Sequence, residues 1–186
     1  QITRDAAPTV KRVGLELGGK SAFIVLDDAA LVENVTAATA GMMGNSGQTC
    51  SAGSRLLVPR ARLDEALAAA KAAADAVTVG DPKGNFAMGP VVSKGQYNSI
   101  QEYIEIGIAE GATLIAGGPG RPEGIERGAF VRPTVFLATN QMRVAREEIF
   151  GPVLVIIAYD DVDQAVEIAN DSTFGLAGYV NGVDLD

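Results

Sequence analysis

The sequence predicts an α/β fold whose largely parallel sheet is flanked by helices. Apolar runs typical of strands alternate with stretches of helical spacing along the 186 residues. Two of these runs, SAFIVL (21–26) and VLVIIAY (153–159), are apolar without interruption, as in strands covered on both faces. Strands and helices that alternate in this way form a mostly parallel sheet.

The first 26 residues are predicted to contain a helix end and two strands. Residues 1–11 are interpreted as the end of a helix that Pro8 terminates or kinks. Between 13 and 17, apolar residues alternate with small or acidic ones, which predicts a strand with one buried face. The run 21–26 is the second strand.

A helix, a strand and a second helix are predicted next. Asp27 and Asp28 are candidate N-caps of the first helix, which the glycine-rich stretch 44–47 ends. The apolar residues of this helix recur at intervals of three and four, at Leu31, Val35, Ala38 and Met42. RLLVP (55–59) is the strand, and the alanine-rich stretch 63–77 is the second helix.

The second half of the chain continues the alternation. Loops are predicted at 79–90 and 119–128, where glycine and proline are frequent. Helices are predicted at 94–110, with Ile100, Ile104 and Ile108 on one side, and at 162–169, with Val162, Ala165, Val166 and Ala169. Strands are predicted at 112–118, 130–138, 153–159 and 175–180.

The composition limits the classes of function. Apolar residues make up 47% and charged residues 20% of the chain, as in folded globular domains. The net charge of -8 disfavours nucleic acid and anionic membranes as partners, and no apolar run approaches the roughly 18 to 20 residues of a membrane span. One cysteine and no histidine leave no internal disulfide and no histidine-based metal site or catalysis, so we expect a cytoplasmic protein without a metal.

Residues 14–21, GLELGGKS, have the spelling of the phosphate-binding loop of nucleotide hydrolases. Such a loop leads into a helix whose N-terminal N–H groups bind the phosphates, whereas here a predicted strand follows. Leu15 and Leu17 are bulky, and the Glu16 carboxylate would lie beside the phosphates. The match is therefore interpreted as accidental.

Cys50 and Glu16 are candidates for catalysis. Cys50 lies in GNSGQTCSAGSR (44–55), where small residues leave room for a substrate and free backbone N–H groups for a developing oxyanion. A nucleophilic thiol without a histidine needs another base, and Glu16 stands at the end of a predicted strand beside two glycines. The plain alternatives are a solvated carboxylate and a small core cysteine.

Three motifs give the chain a resemblance to the aldehyde dehydrogenase superfamily. They are LELGGKS (15–21), GNSGQTCSAGSR (44–55) and EEIFGPV (147–153), which occur in the order of that family. The resemblance extends over the whole chain. It implies that Cys50 attacks an aldehyde to form a thiohemiacetal, that hydride then passes to NAD or NADP, and that water activated by Glu16 releases a carboxylic acid from the thioester.

The resemblance also implies a set of cofactor contacts. Glu148 and Phe150 match the positions that hold the nicotinamide ribose and ring, and the backbone at Leu17 and Gly18 would approach the carboxamide. A solvated acid and a core aromatic residue are the alternatives for Glu148 and Phe150. Lys20 is interpreted as a structural or surface charge.

Two parts of the chain are expected from this resemblance. Residues 1–20 would be the last helix and strand of a cofactor-binding domain, and residues 21–186 a catalytic α/β domain truncated at its C-terminus. The main NAD or NADP site would lie outside the chain, so the chain alone is expected neither to bind NAD tightly nor to oxidise aldehydes at a useful rate. We expect exposed apolar surface near Glu16 to favour self-association, and the full-length protein to be a homo-oligomer that acts on a small-molecule aldehyde.

Two other functions remain open. A relative on the same fold could pass its thioester to coenzyme A or reduce an acyl phosphate, but transfer to a thiol needs no base such as Glu16. A non-catalytic binding or structural domain is the third hypothesis. Alkylation of Cys50 at neutral pH would favour an enzyme, and an inert thiol would favour the non-catalytic domain.

Overall fold

The computed structural model describes residues 1–183, so the last three residues of the predicted catalytic domain, 184–186, lie outside the described range. The helices are α1 (Ile2–Ala6), α2 (Leu31–Met43), α3 (Leu63–Asp75), α4 (Lys94–Ala109), α5 (Arg143–Arg146) and α6 (Val162–Asn170). The strands are β1 (Ala22–Val25), β2 (Arg55–Pro59), β3 (Thr113–Ala116), β4 (Thr134–Leu137), β5 (Val153–Tyr159) and β6 (Gly178–Asn181). Within residues 1–183, no helix has the length and hydropathy that crossing a bilayer requires.

The six strands form one sheet in the order β3-β4-β5-β2-β1-β6. Every neighbouring pair is parallel except β3 and β4, so the predicted α/β class with a largely parallel sheet is confirmed. Ala22 stands opposite both Arg55 and Gly178, and Arg55 stands opposite Val155. The parallel strands β5, β2, β1 and β6 therefore begin at the same edge of the sheet.

The core fills both faces of this sheet. Because strand side chains alternate between faces, Leu57 and Val155 pack on one side with α4 and α6, while Leu56 and Ile156 pack on the other with α2 and α3. All five residues of β2 are buried. Burial on both faces explains why β5 is apolar throughout and why β2 is apolar after Arg55.

The strand predicted at residues 13–17 is wrong. This segment belongs to no strand, and none of the described backbone hydrogen bonds involves it. Leu15 is 57% exposed and Leu17 63% exposed. An alternating pattern produces a buried face only beside a partner strand and a core, and neither lies beside this segment in residues 1–183.

The helices differ from the predictions mainly at their ends and edges. Asp28 accepts a hydrogen bond from the Ala30 N–H at 2.8 Å, but α2 begins only at Leu31 and has no side-chain cap. The apolar stripe of α6 is narrower than predicted, because Val162 and Val166 are exposed. The single turn α5 was not predicted from the sequence.

Candidate active site

Three sequence motifs meet at the edge where the parallel strands begin. Residues 18–21 lead into β1, residues 48–54 into β2 and residues 148–152 into β5. Since β5, β2 and β1 are consecutive neighbours in the sheet, the segments that precede them are neighbours as well. The topology therefore gathers residues that are far apart in the sequence.

Cys50 lies in a tight turn that packs against the glycines of the first motif. The Ala52 N–H donates to the Thr49 carbonyl at 3.0 Å and closes the turn, which leaves Cys50 exposed. A Cβ added to Gly19 would lie 2.7 Å from the Cys50 carbonyl oxygen. Only a glycine permits this approach, so the cysteine turn and the first motif are in direct backbone contact.

The residues before Cys50 adopt an unusual conformation that is held by hydrogen bonds. Asn45 and Ser46 have φ values of 49° and 56°, a left-handed region that costs non-glycine residues about 1 to 3 kcal/mol. The buried Ser46 hydroxyl donates to the Gly89 carbonyl at 2.9 Å. The Gln48 side-chain oxygen accepts from the Val92 N–H at 2.9 Å. These bonds fix the direction from which the chain enters the cysteine turn.

Glu148 lies directly over the first motif. Its Oε1 accepts a hydrogen bond from the Gly19 N–H at 3.1 Å. A Cβ added to Gly18 would overlap this carboxylate and lie 2.7 Å from its Cδ. Gly18 therefore provides the space in which the carboxylate sits, and the second carboxylate oxygen accepts no hydrogen bond from the described residues.

Glu147, the neighbour of Glu148, points into different surroundings. It accepts hydrogen bonds from the Tyr103 hydroxyl at 2.7 Å and from the Arg143 guanidinium at 2.8 Å. The Arg143 and Tyr103 hydrogen bonds lower the pKa of Glu147 to about 2. The two acidic residues of the EEIFGP motif therefore have different partners. Glu147 bonds to α4 and α5, whereas Glu148 bonds to Gly19, which packs against the cysteine turn.

Phe150 is not a core aromatic residue. Its side chain is 38% exposed, and its φ of 53° is unusual for a bulky residue. Gln96, on the first turn of α4, donates through Nε2 to the carbonyls of Ile149 at 3.0 Å and Phe150 at 2.8 Å. Gln96 was not identified from the sequence, where it is one polar residue on an amphipathic helix.

Lys20 is buried, so the surface part of its interpretation is wrong. Only 2% of the residue is exposed. Burial and the Arg55 charge together lower its pKa to about 7, and the Glu148 carboxylate opposes the change. Its position immediately before the apolar run 21–26 is the sequence signal that indicates burial.

Glu16 and Leu17 are both exposed, and no described hydrogen bond involves either side chain. The structure therefore brings Gly18, Cys50, Glu148 and Phe150 to one edge of the sheet, while Glu16 and Leu17 lie on the exposed segment that leads to it. The catalytic role of Glu16 and the cofactor contact of Leu17 stay predictions.

Comparison with known proteins gives a consistent result. The model of the aldehyde dehydrogenase family matches residues 1–186. A putative aldehyde dehydrogenase of Staphylococcus aureus (strain MSSA476) is 50% identical over 188 aligned residues, which cover 100% of this chain and 40% of the relative. The chain therefore spans about 40% of the length of the relatives that it matches.

Solved structures are similar over the same range. A cysteine-to-alanine variant of aldehyde dehydrogenase C from Pseudomonas syringae, in complex with NAD+ and octanal, has a TM-score of 0.95 and 49% identity. The alignment covers 99% of this chain and 38% of that one. The Mycobacterium tuberculosis aldehyde dehydrogenase complexed with NAD+ has a TM-score of 0.93 and 46% identity, over 98% of this chain and 38% of that one.

Proposed function

Because the chain belongs to the aldehyde dehydrogenase family, we propose that it is the catalytic portion of an enzyme that oxidises an aldehyde to a carboxylic acid with NAD or NADP. The observation that supports this most directly is the convergence of the exposed Cys50 with Glu148 and Phe150 at one edge of the sheet. The P. syringae relative was crystallised with an aldehyde and NAD+, with a cysteine replaced by alanine.

Cys50 is proposed as the nucleophile. Its thiolate attacks the aldehyde carbon, a C–S bond forms, and the carbonyl electron pair moves onto oxygen. Backbone N–H groups of the cysteine turn stabilise this oxyanion, because they are fixed before the charge develops. The nicotinamide, when bound, supplies the acceptor for the hydride that leaves the captured carbon.

Glu16 is proposed as the base of the second half-reaction. It removes a proton from water as the water oxygen attacks the thioester carbon. The C–S bond then breaks, the Cys50 thiolate is regenerated, and the carboxylic acid leaves. Glu16 is exposed and water-accessible in residues 1–183, as this role requires.

Glu148 and Phe150 are proposed to hold the nicotinamide ribose and ring. Glu148 accepts one hydrogen bond from Gly19, so its remaining lone pairs are available to ribose hydroxyls. Phe150 presents an exposed ring from a backbone that Gln96 holds in place. A Cβ at Gly18 would overlap the Glu148 carboxylate, so the glycine leaves room for that carboxylate to bind the ribose. The backbone at Leu17 and Gly18 is proposed to approach the nicotinamide carboxamide.

The division of the chain at residue 20 is also a proposal. Residues 10–17 contribute no buried side chain, whereas burial is continuous from Gly19 to Ala22. Residues 1–20 would then belong with a cofactor-binding part, and the catalytic α/β domain would begin at residue 21. Since the chain spans about 40% of the relatives' length, further cofactor contacts are proposed to come from outside it.

Hydrolysis of p-nitrophenyl acetate tests both roles in this chain without a cofactor. Cys50 should take up the acetyl group with a burst of nitrophenolate, and water should then deacylate it slowly. Cys50→Ala should abolish the burst. Glu16→Gln should keep the burst and slow the steady-state rate by about 100-fold, since general bases contribute that much or more.

Glu33→Gln is the matched control, because Glu33 is also an exposed glutamate but lies on α2. This change should leave both the burst and the steady-state rate unchanged. A burst that survives in Cys50→Ala would contradict the proposed nucleophile. A steady-state rate unchanged by Glu16→Gln would contradict hydrolysis and favour an enzyme that transfers the acyl group to a thiol.

A further inference from the structure

We propose that Lys20 is a positioning residue whose buried ammonium holds the Glu148 carboxylate over Gly18 and Gly19. The ribose-binding consequence rests on the function proposed above, whereas the attraction between Lys20 and Glu148 does not. Lys20 itself would not touch the cofactor or the substrate.

The backbone of Lys20 is fixed at the entrance to β1. Its carbonyl accepts a hydrogen bond from Arg55 Nε at 2.8 Å, and the next residue, Ser21, accepts from the Arg55 N–H at 3.1 Å. The lysine side chain is therefore anchored at its base and buried along its length.

Lys20 and Glu148 line the same small cavity. Thr49 and Ser54 of the cysteine segment also contribute to its wall, and its volume is about 10 Å³. A cavity of this size has room for about one water molecule. The buried Lys20 and the half-buried Glu148 thus line one small polar site, which lies between the segments of Cys50 and Glu148.

The folding energy of the chain does not explain a lysine at this position. No carboxylate lies within 4.0 Å of the Lys20 ammonium among residues 1–183. A buried ammonium without a direct ion pair is unfavourable, and apolar side chains of similar volume are often more stable. Two charged groups act on Lys20, Arg55 unfavourably and Glu148 favourably.

Glu148, unlike its neighbour Glu147, has no direct cationic partner among the described residues. Glu147 has Arg143 as an ion-pair partner, whereas no ion pair within 4.0 Å involves Glu148 in the described part of the chain. Lys20 lines the same cavity, and its ammonium attracts the Glu148 carboxylate. This attraction keeps the carboxylate seated on the Gly19 N–H.

The attraction depends on pH in a definite direction. Burial and the Arg55 charge lower the pKa of Lys20 to about 7, so the ammonium is present below this pH and lost above it. Glu148 is held most firmly on the acid side of neutrality and released as the pH rises. Arg55 stays charged throughout and opposes protonation of Lys20 at every pH.

NMR titration of lysine side chains in the 186-residue chain tests the attraction between Lys20 and Glu148. Lys20 should titrate near pH 7, and Glu148→Gln should lower this midpoint by roughly one pH unit, because the opposite charge is removed. Glu147→Gln is the matched control and should leave the midpoint unchanged. Titration of Lys20 near its ordinary value, or no response to Glu148→Gln, would overturn the proposal.

The Gly19 amide resonance reports the position of Glu148 independently of any activity. Lys20→Met should shift it in the same direction as Glu148→Gln, while Lys20→Arg should restore it and Lys71→Met, an exposed lysine, should not affect it. No shift in Lys20→Met would overturn the proposal. If a change at Lys20 prevents folding, the titration of Lys20 in Glu148→Gln still tests the proposal, because that variant retains the lysine.

Nicotinamide mononucleotide, which contains the nicotinamide ring, its ribose and one phosphate but no adenosine, tests the consequence for binding. Its dissociation constant should rise about 10-fold in Lys20→Met and recover in Lys20→Arg. Unchanged affinity in Lys20→Met would overturn the positioning role. The unchanged chain could fail to bind this probe while Lys20→Met still shifts the Gly19 amide resonance. In that case the proposed function loses support and the attraction between Lys20 and Glu148 is upheld.

Discussion

Gly47 lies where the segment before Cys50 touches the segment before β5. Its φ is +68°, and a Cβ at this position would overlap the Gly151 carbonyl and lie 2.6 Å from the Pro152 nitrogen. Neither neighbour is a flexible side chain that can turn away. The glycine is therefore required both by its backbone conformation and by the closeness of the second backbone.

Replacement of Gly47 by alanine should lower the free energy of unfolding by about 2 kcal/mol or more, because strain and overlap act together. Gly44→Ala is the control, since Gly44 has a φ of -53° and open space around its Cβ direction. It should change stability by less than about 0.5 kcal/mol. Urea unfolding measures both, and equal losses in the two variants would contradict the backbone contact.

Sequence reasoning at this scale identifies residue types better than their surroundings. Cys50 is the only cysteine, and its setting of small and polar residues argues against a buried core side chain; the structure shows that it is exposed. It does not distinguish Glu147 from Glu148, because adjacent side chains meet different elements only after folding. Lys20 was misjudged for the same reason, since its burial depends on neighbouring strands.

Arg55 connects β2 to elements that follow it by more than 80 residues. Its guanidinium donates to the carbonyls of Ile168 and Ala169 at the end of α6, both at 2.8 Å, and to the Asn140 side chain at 2.9 Å. Removing it leaves several buried acceptors without a donor, each costing about 1 to 3 kcal/mol. The residue therefore fixes the end of a helix to the start of a strand.

Arg55→Met should lower the free energy of unfolding by about 3 kcal/mol or more and release the end of α6. Arg60→Met removes the exposed ion pair with Asp160 and should cost less than about 1 kcal/mol. Chemical unfolding gives the stability, and hydrogen exchange at 165–170 reports the helix end. If both variants lose the same stability, Arg55 does not have this role.

The elements that the sequence predicts best are those with the longest apolar signals. The run 153–159 coincides with β5, and the spacing of apolar residues locates α2 and α4. The run 13–17 has an equally regular alternation but no partner strand in residues 1–183, so local pattern alone cannot decide its structure. The four residues of α5 are too few to produce a periodic signal.

At the scale of the whole molecule, one surface stands out as apolar and uncovered. Leu15 and Leu17 protrude from a segment without secondary structure, and Ile2 and Val10 nearby in the chain are also exposed. Exposed apolar side chains concentrated in one segment favour association between copies in water. The same residues misled the strand prediction, because their pattern is that of a buried face.

The chain should therefore self-associate, and the pair of changes Leu15→Ser and Leu17→Ser should reduce the average mass measured by light scattering. Val162→Ser and Val166→Ser form the control, because these two exposed valines lie on α6. They should leave the average mass unchanged. A strict monomer at high concentration would show that the exposed leucines do not drive association.

The common starting edge of β1, β2 and β5 also has a consequence for synthesis of the chain. Gly19 and Glu148 make their hydrogen bond across 129 positions, so this arrangement cannot form before Glu148 has been translated. A ribosome that adds about 5 to 20 residues per second needs roughly 5 to 20 s to travel from Cys50 to Glu148. Throughout that interval the nascent thiol is accompanied by only part of its eventual surroundings.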